Sequence, residues 1–173
     1  EELMNMTPEE LATAINAYID RGADFLKYGG TSHFSEPTFV GFSLAAQRAL
    51  VDAGHRRGLF VETHATSIEG LRESLAAGID GIQHPEILDG RALPDDVIRT
   101  IVDRRIVCSM LVNTITGAAW DRHVKTRAEA AKRLADAAAT AAGARPKTTA
   151  ERRKEAADLG DDLEWRRKNA IAL

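Results

Sequence analysis

Lys27, His64 and His84 are the residues best placed, by type and spacing, to do chemistry in this chain. Each closes a short run: Phe25-Leu26-Lys27, Glu62-Thr63-His64 and Ile82-Gln83-His84, at similar distances after Gly22, Gly58 and Gly78. In parallel α/β sheets and barrels, functional side chains gather at the C-terminal ends of strands. One histidine at a strand end favours a satisfied structural role. Three nitrogen-bearing side chains at equivalent positions on successive strands would instead converge on one point. Neutral imidazole is a common ligand of zinc and similar divalent ions. Two histidines leave such a site incomplete, because catalytic zinc usually takes three protein ligands and keeps an open position. Lysine is a poor ligand while protonated and becomes useful where desolvation lowers its pKa. A neutral lysine amine can take up carbon dioxide to form a carbamate, an anionic bidentate oxygen ligand suited to bridging two metals.

The elements that must position these residues follow one repeated grammar. Thr7-Pro8-Glu9-Glu10 predicts a helix start, with an N-cap threonine, proline at the first position and glutamate at the third. Leu11, Ile15, Tyr18 and Ile19 continue at helical period, and Gly22 is a stop signal. Residues 23–28 are expected to form a buried strand, followed by a Gly/Ser/Thr/Pro-rich loop over 29–41. Ser43 caps a second helix carrying Leu44, Ala46, Leu50 and Ala53, closed by Gly58, and residues 59–65 form the next strand. Ser67 caps a third helix with Ile68, Leu71 and Leu75, closed by Gly78, and residues 79–84 form another strand. A fourth helix starts near Pro94 with Val97, Ile98, Ile101 and Val102, and leads into a strand over 106–112. Such alternation indicates βα units and a parallel sheet. Arg21-Gly22-Ala23-Asp24-Phe25-Leu26 echoes Ala77-Gly78-Ile79-Asp80-Gly81-Ile82, which reads as a repeated packing solution at a helix-to-strand crossing.

Past Asn113 the composition turns alanine-rich and charged. Residues 118–142 and 148–171 read as a pair of helices separated by Arg145-Pro146-Lys147. Trp120, Val124, Ala128, Ala131, Leu134 and Ala138 form a thin apolar stripe on the first; Leu159, Leu163 and Trp165 are the large apolar residues of the second. Such helices need something to pack on. A lid, an oligomer contact and a solvated insertion are the three readings of the pair.

Further candidates carry less. His33 lies in the loop after Lys27, where substrate contact and a plain surface role are equally open. Tyr28 and Asn113 follow strand ends and could touch substrate. His55 sits at a helix C-terminus beside Arg56 and Arg57, where it serves the helix dipole. His123 belongs to the helical segment and is expected to be exposed. Gly29-Gly30-Thr31-Ser32 lacks the spacing and the ending of a phosphate-binding loop. The basic runs near Arg152 and Arg166 alternate with acids, as on a solvated helix face.

Bulk properties narrow the class. The chain has 173 residues, 44% hydrophobic and 28% charged, with a formal net charge of -3, an ordinary globular composition sufficient for one domain. That balance gives no footing for nucleic acid or a membrane surface. A single cysteine, Cys108, excludes an internal disulfide and a cysteine-based zinc site. No apolar run approaches the length of a bilayer span, and no signal peptide is visible. The compartment stays open, with the cytoplasm favoured.

Gly22-Ala23-Asp24-Phe25-Leu26-Lys27, then Val61-Glu62-Thr63-His64-Ala65, then Ala77-Gly78-Ile79-Asp80-Gly81-Ile82-Gln83-His84, resembles the amidohydrolase superfamily in order, spacing and strand-end placement. The likeness is greatest to its imidazolonepropionase-like and dipeptidase-like branch, and runs from about Pro8 to Asn113. It implies an α/β fold, part of a (β/α)8 TIM-type barrel covering strands four to seven in residues 1–113, with residues 114–173 a helical insertion after a barrel strand. It implies that Lys27 is the carboxylated lysine bridging two zinc ions, and that His64 and His84 are metal ligands closing strands five and six. Two departures stand out. The family's first strand supplies a His-x-His pair, which does not occur here, and nothing after Val112 looks like the eighth strand with its aspartate base. The chain is therefore expected to be an internal fragment of a longer polypeptide, inactive by itself. In the completed protein the resemblance implies hydrolysis of an amide or other C–N bond in a small amide, dipeptide or cyclic amide, by metal-activated water. Two competing readings remain: a Schiff-base barrel lyase with Lys27 as nucleophile, and a catalytically incomplete domain that associates through its helical pair, giving a homo-oligomer.

Overall fold

The computed structural model describes residues 2–32, 38–88, 91–140 and 146–173. Four strands, β1 (Phe25–Gly29), β2 (Phe60–His64), β3 (Gly81–Gln83) and β4 (Val107–Ser109), form one sheet in the order β1-β2-β3-β4. Every pairing is parallel, with Lys27 opposite Glu62, His64 opposite Gln83, and Gln83 opposite Ser109. Parallel neighbours need a crossover, and the crossovers are helices α2 (Leu44–Arg56), α3 (Ile68–Ala77) and α4 (Asp95–Asp103), with α1 (Pro8–Ile19) leading into β1.

The helices start where short polar side chains say they should. Thr7 and Glu10 complete a reciprocal capping box ahead of α1; Ser43 and Ser67 accept from the third backbone N–H of α2 and α3. Each such cap stabilises its helix by about 1 kcal/mol. Leu11, Ile15 and Ile19 of α1 recur every fourth residue and are buried. Gly78 closes α3 with φ 96°, a backbone conformation that costs other L-residues on the order of 1 kcal/mol.

Strand alternation divides the sheet into two unlike faces. Leu26, Tyr28, Val61, Thr63 and Ile82 are buried, and the apolar ones join Leu11, Leu50, Leu71 and Val97 in one core under the helices. On the opposite face Phe25, Phe60 and Val107 are exposed at 52%, 38% and 57%. Lys27, Glu62, His64 and Gln83 share the parity of that open face.

The C-terminal region departs from the expected helix pair. It holds α5 (Gly117–Thr140), α6 (Thr149–Leu159) and α7 (Asp161–Ala172). Gly160, at φ 66° in the left-handed region, ends α6 and redirects the chain into α7. The basic run of α7 is no solvated face: Arg166 donates to the Leu111 carbonyl at 3.2 Å, and Arg167 to the Ile115 carbonyl at 2.6 Å. Asn169, 2% exposed, donates to the carbonyls of Glu86 and Arg91 at 3.2 and 2.9 Å and accepts from Leu93 N–H at 2.9 Å. α7 thus seals the loop that follows β3.

Among the described residues, no helix is long and apolar enough to cross a membrane.

Candidate functional site

Lys27 lies on the open face two residues before the end of β1. Its ammonium donates to Gln83 Oε1, and Gln83 Nε2 donates to Glu62 Oε1 at 2.7 Å. One side chain from each of three adjacent strands therefore forms a continuous polar chain across the sheet. Glu62 and Gln83 lie within motifs that resemble the family, yet motif reading gives them no role. The strand period is the signal that finds them, since Glu62 is two residues before His64 and Gln83 opposes His64 in register.

His64 ends β2 on the same face. Its Nε2 is 3.1 Å from the Thr31 carbonyl oxygen. A carbonyl can only accept, so Nε2 carries the hydrogen and the imidazole lone pair falls on Nδ1. Thr31 is itself fixed, its Oγ1 accepting from Thr66 N–H at 2.9 Å and lying 3.1 Å from Thr66 Oγ1. Beneath the ring is Gly29, where an added Cβ would stand 3.3 Å from His64 Nε2. Such a contact would crowd the imidazole, so the missing side chain helps to seat it.

His84 follows β3 directly. Alternation would turn it away from Gln83, into the helix layer. Its backbone instead adopts φ 40°, rare for a non-glycine residue though histidine is among the enriched types. The imidazole, only 6% exposed, stacks on that of His64 with centroids 5.8 Å apart and planes inclined by 25°. The His84 backbone N–H donates to the Ser109 carbonyl at 2.6 Å, which ties the kinked residue to β4. Backbone strain of this kind costs about 1–3 kcal/mol and clusters at functional sites.

These donors fit part of a metal site. Two imidazoles lie face to face at adjacent strand ends, and an amine lies on the same sheet face. No third histidine, cysteine, aspartate or glutamate gathers with them among the described residues.

Two residues behind this cluster escape motif reading. Glu86 is fully buried; its Oε1 accepts from Leu111 N–H at 3.1 Å and lies 3.6 Å from an Arg166 nitrogen. Asn169, on α7, holds the Glu86 carbonyl. Burial pushes the Cys108 thiol pKa up, and the Glu86 carboxylate adds to the shift. Sequence alone carries no signal for these pairings, because they join residues more than twenty positions apart.

Several expected roles change. Tyr28 does not border the open face: it is 6% exposed on the helix side, donating to Gln47 Oε1 at 2.8 Å. The same alternation that presents Lys27 turns Tyr28 inward, and burial pushes its pKa up to about 12. Asn113 lies exposed in the 3-10 turn Val112–Thr114 just past β4. His33 lies outside the described residues. His55 does more than face a helix end, since its Nε2 is 2.8 Å from Asp80 Oδ2, and Asp80 also accepts from Val61 N–H. This gives Asp80 the structural role expected of it. His123 is not exposed: its side chain is 9% accessible, packed on Trp120 and bonded to Glu164 at 3.0 Å.

No protein-family model and no curated protein matches the chain. Solved structures do. Molinate hydrolase is 26% identical, with a TM-score of 0.57 over 62% of this chain and 24% of that one. Ochratoxinase from A. niger is 20% identical, with a TM-score of 0.58 over 96% of this chain and 33% of that one. A Xaa-Pro dipeptidase with bound methionine in its active site is 20% identical, with a TM-score of 0.52 over 91% and 34%. At 20% identity the latter two speak to the fold alone. The three are named as a hydrolase, an ochratoxinase and a dipeptidase, and this chain is similar in fold to a part of each. It spans about a quarter to a third of the length of the structures it matches.

Proposed function

We propose that this chain supplies Lys27, His64 and His84 to the metal centre of a hydrolase that cleaves amide or related C–N bonds. The observation that carries the reading is the stacked His64–His84 pair, formed only because His84 takes a left-handed backbone at the end of its strand. A core histidine needs no such strain. The reading also places the four βα units within a (β/α)8 barrel, as strands four to seven, with residues 114–173 inserted after the last of them. The sequential parallel order, with α1 to α4 sharing one core against a single sheet face, supports a singly wound sheet rather than a doubly wound one.

In this reading His64 and His84 would hold a divalent ion, zinc by preference, and Lys27, as its carbamate, would supply an anionic oxygen ligand to a two-zinc centre. When bound, the ions supply Lewis acidity and lower the pKa of an attached water. The protein's own residues do the rest. The Thr31 carbonyl fixes the His64 tautomer, and Thr66 fixes Thr31. Asn113, exposed past β4, is proposed to contact the small amide, dipeptide or cyclic amide substrate.

Calorimetric titration of zinc into the full-length protein tests this. His64→Ala and His84→Ala are each expected to weaken binding by more than the roughly 10–100-fold typical of supporting residues. His55→Ala, whose partner Asp80 sits at the opposite end of the strands, should bind as wild type. Undiminished affinity in both site variants would sink the proposal.

A further inference from the structure

We infer that Gln83 and Glu62 are positioning residues that orient Lys27 for carboxylation, an inference that rests on the metal-site reading above. The argument starts from the polarity of the chain Lys27–Gln83–Glu62. A carboxylate can only accept, so Glu62 claims the amide nitrogen of Gln83, at 2.7 Å. The amide is thereby locked with its oxygen toward Lys27, which donates to it. Without Glu62 the amide could rotate and set its N–H groups against the donors of the lysine.

The locked orientation suits the lysine before and after reaction. Carbon dioxide is the co-reactant. The Nζ ammonium first gives one proton to solvent; the neutral lone pair then forms the N–C bond, one C=O π pair moves onto oxygen, and a second Nζ proton is released to solvent. The product retains a single N–H. Gln83 Oε1 accepts that N–H as it accepted from the amine. Because a carbamate is planar, holding its one N–H fixes where both of its oxygens lie. A residue filling the sheet face for packing alone would need neither polar end of Gln83, and the open face covers neither Phe25 nor Val107.

The test is ¹³C NMR of the zinc-loaded full-length protein equilibrated with ¹³C-bicarbonate. The wild type should show a carbamate resonance that is absent in Lys27→Ala. Gln83→Leu is expected to lower its occupancy about five- to tenfold at fixed bicarbonate, the equivalent of one hydrogen bond. Glu62→Leu should lower it in the same direction, and Glu62→Asp, which keeps a group that can only accept, should restore part of it. That rescue separates orientation from mere folding, and Glu62→Leu lies on a different strand should Gln83→Leu fail to fold. Wild-type occupancy in both leucine variants overturns the inference and leaves the metal-site reading standing. A wild-type protein with no carbamate resonance overturns the carboxylated-lysine reading and this inference with it.

Discussion

Lys27 and Tyr28 are neighbours in the chain with opposite surroundings, and the two-residue period of a strand is the whole reason. Lys27 reaches across the open face to Gln83, while Tyr28 turns under α2 and α3 to a buried group that also holds Ser74, whose hydroxyl donates to Gln47 Oε1 at 2.9 Å. The neutral tyrosine is favoured there, since burial raises its pKa from 10 to about 12. The sign follows from proton counting. Between those values the unfolded chain has lost the proton and the folded chain keeps it, so stability is fully present below pH 10 and declines as pH rises toward 12. The loss across that window is of order 2–3 kcal/mol. Denaturant titrations of wild type and Tyr28→Phe at pH 8 and pH 11 check this. The variant should be less stable by about 1 kcal/mol at pH 8 and show a shallower alkaline decline. Parallel declines would mean that Tyr28 is not the titrating group. Alternation separates the faces of Lys27 and Tyr28, yet Tyr28 is expected beside substrate when its strand is read as ending there. The orientation of His84 was not legible, because φ 40° breaks the period and no neighbouring residue type announces it.

At the scale of elements, the helices α1 to α4 were legible and the C-terminal ones were only partly so. Caps and glycine stops are local signals, and Thr7, Ser43, Ser67 and Gly78 act as expected. The packing face of α5 is different. Its less exposed residues are Trp120, His123, Arg127, Ala130 and Leu134, at spacings of three and four, whereas Val124, Ala128 and Ala131 of the expected apolar stripe are exposed. Two members of the real face are polar. They are satisfied by the neighbouring helices: His123 by Glu164, and Arg127 by the Leu159 carbonyl and Asp161 at 2.7 and 2.6 Å. A reading based on hydrophobicity cannot anticipate partners that long-range contacts supply. The same holds for α7, whose anchor is the buried Asn169. Asn169→Ala should strip one acceptor from Leu93 N–H and two donors from the carbonyls of Glu86 and Arg91, at a cost of about 2–4 kcal/mol. Thermal unfolding would report the loss, and hydrogen exchange should localise it to α7 and the loop after β3. Unchanged stability would show that α7 is an appendage and plays no part in sealing the site.

The whole molecule has one covered sheet face and one open one. Phe25, Phe60 and Val107 lie on the open face, and β1 and β4 are both edge strands of the described sheet. Exposed apolar faces and unpaired edges are association surfaces unless something covers them. Within the proposed barrel, the remaining strands would continue both edges and turn the open face into a filled interior. This is a property of the assembled sheet, and no single segment of sequence displays it. Alternation predicts which residues share a face, but a fold must close before it is known which face is the core. The consequence can be tested on the 173-residue chain itself. Sedimentation velocity is expected to show concentration-dependent self-association through this face. The double variant Phe25→Lys, Val107→Lys places charge on both edge strands, at positions more than half exposed, where the change should disturb the folded chain little. It should shift the population toward monomer at the same concentration and leave the helical circular dichroism intact. A wild-type chain that stays monomeric across the accessible range would mean the open face is tolerable to water, and the physical case for a missing half of the barrel would lose its main support.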